Sequence, residues 1–132
     1  KRVVLVDDSI VRGTTCAKLV KLLKNAGATE VHLRSSAPPF VNPCYYGTDI
    51  DSKDALIACN HTIAEIKRIT GADSLGYLRL EDVTKLGEGG TCSGYCTACF
   101  DGNYPTPKPV KYENKYDNKI SENKKCESEN EQ

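Results

Sequence analysis

The chain has 132 residues, enough for one modest domain, and its 18 Lys and Arg balance 18 Asp and Glu. That balance gives no overall field to draw nucleic acid or an anionic surface, and no apolar run is long enough to span a membrane. Seven cysteines, an odd number read without a secretory signal, point to a metal or cluster site rather than a disulfide framework.

Val3-Val4-Leu5-Val6 reads as a buried parallel strand, and it ends in the carboxylates Asp7-Asp8. A core strand following Lys1 directly reads as the C-terminal piece of a longer protein. After the loop Ser9-Ile10-Val11-Arg12-Gly13, residues 14–26 place Leu19, Leu22, Leu23 and Ala26 opposite Lys18, Lys21 and Lys24. This pattern predicts a helix on a sheet, with Gly27 at a left-handed C-terminal position. Glu30-Val31-His32-Leu33-Arg34 alternates as a second strand, which makes residues 2–34 a β-α-β unit. Pro38, Pro39, Pro43 and Gly47 mark residues 35–49 as a long, ordered loop carrying Cys44.

Residues 51–59 read as a short helix, and Thr62-Ile63-Ala64-Glu65 as a capping box opening another, with Ile63, Ile66 and Ile69 inward and Gly71 at its end. Residues 74–80 alternate as a third strand, Glu81-Asp82-Val83 opens a helical turn, and the glycine cluster 87–90 stops it. Residues 107–132 carry six Lys, six acidic residues and few apolar ones, so a disordered polar tail is expected. The fold class is therefore α/β, a parallel sheet flanked by helices with a C-terminal helical and cysteine-rich segment. Its divisions fall at 1–90, 91–106 and 107–132.

A buried strand, an acidic pair, a Gly/Thr loop and a helix in that order suit a phosphorylated sugar. Backbone N–H groups at a glycine-relieved loop and a helix N-terminus hold a phosphate, and paired carboxylates accept ribose hydroxyls or support a metal. Cys96-Thr97-Ala98-Cys99 is a Cys-x-x-Cys pair open to zinc, an iron–sulfur cluster or a redox role. The glycine-rich loop before it argues against the redox role, and Cys44 is a plausible third thiolate. Cys16 reads as a buried small residue rather than a reactive thiolate. Cys59 and Cys126 read as bystanders, and His32 and His61 as surface or capping residues.

Residues 3–15 resemble the phosphoribosyl-pyrophosphate motif of type I phosphoribosyltransferases. Asp7-Asp8-Ser9-Ile10-Val11-Arg12-Gly13-Thr14-Thr15 is similar in particular to the form in the amidophosphoribosyltransferase family. The similarity runs on through Pro43-Cys44-Tyr45-Tyr46-Gly47 and Cys96-Thr97-Ala98-Cys99-Phe100 to Tyr104-Pro105-Thr106, roughly residues 1–106. The resemblance implies part of a type I phosphoribosyltransferase sheet. Asp7 and Asp8 would contact ribose hydroxyls and support Mg²⁺ carried by the pyrophosphate. Arg12, Gly13, Thr14 and Thr15 would cradle the 5′-phosphate, with Ser9 in the same loop.

Bacillus-type members carry a [4Fe–4S] cluster on four cysteines, and Cys44, Cys96 and Cys99 match three. The fourth lies upstream of this chain in that family, while Cys92 stands four residues before Cys96 rather than the usual three. A structural and oxygen-sensing role for the cluster is implied. So are phosphoribosyl pyrophosphate and glutamine-derived ammonia as substrates, 5-phosphoribosylamine as product, purine nucleotides as feedback inhibitors, a homotetramer and a cytoplasmic location. The glutaminase nucleophile of the family is an N-terminal cysteine absent from this chain. Two alternatives are a purine-salvage phosphoribosyltransferase, which lacks the three cysteines, and a non-catalytic nucleotide-sensing module.

Overall fold

A computed structural model describes residues 1–48, 50, 52–86 and 94–108. The glycine cluster 87–90, Cys92, Cys126 and all but the first two residues of the expected tail lie outside the described residues. Three parallel strands, β1 (Arg2–Asp7), β2 (Glu30–Ser35) and β3 (Ser74–Tyr77), form a sheet in that order. β1 lies against β2 from Arg2 opposite Glu30 to Asp7 opposite Ser35, and β2 against β3 from His32 opposite Ser74 to Ser35 opposite Tyr77.

Helices α1 (Thr14–Asn25) and α3 (Ile63–Thr70) cover one face of this sheet. Val31 and Leu33 from β2 meet Cys16 and Val20 from α1, Ile66 from α3, and Ile10, all nearly free of solvent. Val3, Leu5 and Asp7 turn toward that face. The expectation of a strand buried throughout is corrected here: Val4 and Val6 are 62% and 66% exposed. The period-two alternation of a strand sends them to the opposite face, which no helix covers among the described residues. His32 lies on that same outer face, bridging Glu30 Oε2 at 3.0 Å and Ser74 Oγ at 2.9 Å.

The helix ends follow their local chemistry. Gly27 has φ +94°, its N–H donates to Lys24 O, and the Ala28 N–H donates to Leu23 O, a Schellman closure of α1. Thr62 and Glu65 form the expected reciprocal capping box of α3. Inward residues differ from the expectation. Leu22 is exposed, and of the three α3 isoleucines only Ile66 is buried while Ile63 and Ile69 lie outside, because Ile66 and Thr70 make the inner stripe. The third strand is also shorter than its alternation implied. It stops at Tyr77, and Leu80 opens α4 (Leu80–Lys85), where Arg79 N-caps the turn and pairs with Glu81 and Asp82.

The single helix expected over residues 51–59 is two pieces, a 3₁₀ turn (Lys53–Ala55) and α2 (Ile57–Asn60). Extended Leu56 separates them. Leu56 enters a second small core with Phe40 and Ile50, against which Val11, Ala37, Cys44, Cys99 and Phe100 pack. Its neighbour Ile57 turns into the main core, and the Ile57 N–H holds Val11 O at 2.8 Å. The closing element, α5 (Ala98–Asp101), sits on this second core, with Phe100 tilted against Phe40 at 4.9 Å.

Candidate functional site

The C-terminal end of β1 and the N-terminus of α1 enclose a cavity of about 350 Å³. Asp7, Asp8, Ser9, Arg12, Gly13, Thr14 and Thr15 all line it, together with Val11 and Cys16. All seven residues singled out from the sequence for the sugar phosphate therefore meet in one place. Gly13 makes the turn: it is the N-cap of α1 with φ +75°, and a Cβ there would stand 2.8 Å from Ile57 Cδ1. A side chain is thus disfavoured by both conformation and space. With glycine as its N-cap, α1 has no side-chain cap bond at its start. The opening N–H groups of a helix have no intrahelical acceptor, and here they face the cavity with the positive end of the helix dipole.

The two aspartates are held differently. Asp7 is partly buried; its Oδ1 accepts the Asp8 N–H at 3.0 Å and its Oδ2 accepts the Cys16 thiol at 3.1 Å. Asp8 is exposed, with the Ser9 hydroxyl 3.4 Å from its Oδ1. Ser36 fixes the strand end, its N–H and hydroxyl both donating to Asp7 O. Burial first, then the hydrogen bond to Asp7 and its negative charge, push the Cys16 thiol up to about 12. It is a protonated donor at neutral pH. Cys16 is the buried small residue its position predicts; only the strand-to-helix packing brings a thiol nine residues downstream onto the carboxylate.

The cysteines also converge. Cys44, Cys96 and Cys99 line a second cavity of about 280 Å³ with Tyr46, Gly47, Thr48, Ala98, Tyr104 and Pro105. Burial alone would raise the Cys44 thiol. The N–H groups of Tyr46, Thr48 and Gly47 and the Thr48 hydroxyl outweigh it, so Cys44 sits below the usual thiol range. The Thr48 N–H stands 3.4 Å from Cys44 Sγ. Cys99 moves the other way, to about 11, by burial first and then by the charges of Cys44 and Cys96. Cys96 is exposed.

Backbone bonds lock the two cysteine segments together. Cys99 O accepts the N–H groups of Val41 and Asn42, and the Tyr104 hydroxyl donates to Pro43 O at 2.6 Å. Among the described residues, no three His, Cys, Asp or Glu side chains stand close enough to hold one metal ion. Cys59 lies apart and exposed, its thiol donating to Val41 O.

No family model matches the chain. Curated relatives do. An amidophosphoribosyltransferase of Archaeoglobus fulgidus is 52% identical over 110 residues, covering 83% of this chain and 24% of that protein. The Bacillus subtilis amidophosphoribosyltransferase is 50% identical over 110 residues, covering 80% of this chain and 23% of its own. This chain belongs to the amidophosphoribosyltransferase family.

The likeness extends to three dimensions. The solved structure of the B. subtilis glutamine phosphoribosylpyrophosphate amidotransferase, complexed with ADP and GMP, superposes with a TM-score of 0.75 at 46% identity. It covers 85% of this chain and 25% of that one. The parallel sheet with its flanking helices is therefore that of the family's transferase fold. The chain spans about a quarter of the length of the curated amidophosphoribosyltransferases it matches. No described helix is long and apolar enough to cross a membrane.

Proposed function

We propose that this chain is the part of an amidophosphoribosyltransferase that grips the ribose 5-phosphate end of phosphoribosyl pyrophosphate. The complete protein joins glutamine-derived ammonia to that substrate and forms 5-phosphoribosylamine, the committed step of purine synthesis. One observation carries the reading: an acidic strand end and an uncapped, glycine-initiated helix N-terminus share a single cavity. The N–H groups of the first turn of α1, the hydroxyls of Thr14 and Thr15 and the Arg12 guanidinium receive the 5′-phosphate. Asp7 and Asp8 accept the ribose hydroxyls. As the bond to pyrophosphate lengthens, positive charge grows on the ribosyl ring, and the two carboxylates beside it favour that charge.

Asp7 and Asp8 offer hard oxygen donors of the kind Mg²⁺ takes in ones or twos alongside substrate phosphates. When bound there, Mg²⁺ would neutralise pyrophosphate charge. Cys44, Cys96 and Cys99 offer soft sulfur donors around one cavity, the donor type that iron–sulfur clusters take. They would hold three corners of a [4Fe–4S] cluster, the fourth ligand coming from elsewhere in the complete protein. The N–H groups around Cys44 already favour its thiolate. The cluster would clip residues 36–50 to residues 94–108 and release them on oxidative loss.

By the same reading, residues 1–90 belong to the transferase domain and 91–106 to the cluster-binding segment. On this reading the complete enzyme is a cytoplasmic homotetramer that answers to purine nucleotides; the solved B. subtilis relative carries ADP and GMP.

Two measurements on the anaerobically purified complete protein test this. Calorimetry with phosphoribosyl pyrophosphate and Mg²⁺ is expected to give saturable binding that Asp7→Asn and Gly13→Ala each weaken. Iron and acid-labile sulfide are expected at roughly four each per chain, lost in Cys96→Ser. Zinc in place of iron would refute the cluster. Absence of binding would refute the transferase site.

A further inference from the structure

Cys16 is the one group lining the sugar-phosphate cavity that no motif explains. It occupies the third position of α1, is 2% exposed, and donates its thiol proton to Asp7 Oδ2 at 3.1 Å. The other oxygen of the same carboxylate accepts the Asp8 N–H at 3.0 Å. A carboxylate rotates freely about its terminal bond, through a broad two-fold torsion. Two donors on opposite oxygens remove that freedom. Asp8 has no comparable pair, since it is exposed and meets only the long Ser9 contact of 3.4 Å among the described side-chain bonds. The two aspartates are therefore inequivalent before any ligand arrives.

We propose that Cys16 is a positioning residue for the phosphoribosyl site, holding the Asp7 carboxylate in one plane while Asp8 stays free to adjust to the ligand. This rests on the sugar-phosphate reading above and refines it. The placement follows from local structure. Asp7 shares the inward face of β1 with Val3 and Leu5, and α1 lays its first turn across the end of that strand. With glycine as N-cap, no side chain at the cap competes for the carboxylate. A thiol carried back from the third helical position reaches it instead. Because Cys16 is shielded from solvent and already bonded, its part is to orient and not to attack.

The test uses the complete enzyme, with phosphoribosyl pyrophosphate plus Mg²⁺ as one calorimetric probe and inorganic phosphate as the other. Losing a donor to a charged acceptor weakens binding by roughly tenfold, so Cys16→Ala is expected to bind the pyrophosphate ester about tenfold more weakly. Cys16→Ser keeps a donor at the same position and is expected to bind near the wild-type value. Inorganic phosphate addresses the helix N-terminus and not Asp7, so its affinity is expected to stay put in both variants. In an Asp7→Asn background, Cys16→Ala should add little.

Wild-type affinity in Cys16→Ala, or a serine variant as weak as the alanine one, overturns the inference. So does an equal loss of inorganic phosphate binding, which would mark a disturbed helix. A wild-type enzyme that binds no phosphoribosyl pyrophosphate overturns the underlying reading, and the inference with it.

Discussion

Gly13→Ala probes the turn on which the cavity depends. The residue sits at φ +75°, where an L side chain costs about 1–2 kcal/mol. Its new Cβ would lie 2.8 Å from Ile57 Cδ1 and 3.9 Å from Thr70 Cγ2. Ile57 is 7% exposed and tethered through its N–H to Val11 O, but Cδ1 is the tip of its side chain and can rotate, so the crowding belongs at the low end of the ~1–3 kcal/mol seen for overpacking. The sum is a loss of about 2–3 kcal/mol, measurable as a lowered urea midpoint at unchanged slope.

Ile57→Val separates the two parts. Alone it costs about 0.5–1.5 kcal/mol. Combined with Gly13→Ala it removes the crowding and leaves the backbone cost, so the double variant should be about 1 kcal/mol more stable than additivity gives. A Gly13→Ala protein within about 0.5 kcal/mol of wild type would refute this account, as would strict additivity with Ile57→Val.

Other outcomes follow from single contacts. Thr62→Ala removes the capping box of α3 and should cost about 1 kcal/mol in urea unfolding, with Thr62→Ser close to wild type. Asp73 is held below its ordinary 3.8 first by the Val31 N–H and then by Lys24. A depressed carboxyl stabilises the fold above its unfolded pKa and loses that effect as pH falls through the folded value. The stability gap between wild type and Asp73→Asn should thus be full at neutral pH and close on acidification below 3.8, as thermal midpoints across pH would register. Native maleimide labelling followed by peptide mapping should modify exposed Cys59 and leave Cys16, at 2% exposure, untouched until the protein is unfolded.

Local signals carried most of what the sequence disclosed. The β1 run, Gly13, the Gly27 closure and the Thr62–Glu65 box depend on backbone chemistry within a few residues, and each lies where its pattern put it. That the residues from Asp7 to Thr15 gather at one cavity was legible because they are contiguous: one strand end and one loop bring them together without help from distant chain. Cys44, Cys96 and Cys99 were legible through their motifs, and the fold adds the Cys99 carbonyl and Tyr104 bonds that hold them around one cavity. What failed was the assignment of faces. Val4, Val6, Leu22, Ile63 and Ile69 are as apolar as their buried neighbours, and only the positions of covering elements decide which of them turn inward. Leu80 failed for a different reason: alternation in a seven-residue window does not distinguish a strand from a strand that ends in the first turn of a helix. The Cys16–Asp7 contact was invisible because it depends on how a helix crosses a strand end.

The step from Leu56 to Ile57 constrains how this chain can vary in length. Extended Leu56 and Ile57, the first residue of α2, enter different cores, so Leu56 packs in the core that Cys44 and Cys99 rest on while Ile57 braces the loop at Gly13. Adding or deleting one residue there would pull both side chains out of their close-packed cores and disturb the packing behind both cavities in a single event. Among amidophosphoribosyltransferase sequences aligned to this one, gaps should gather in the loops on either side and spare residues 55–58, a pattern that substitution tolerance alone would not produce.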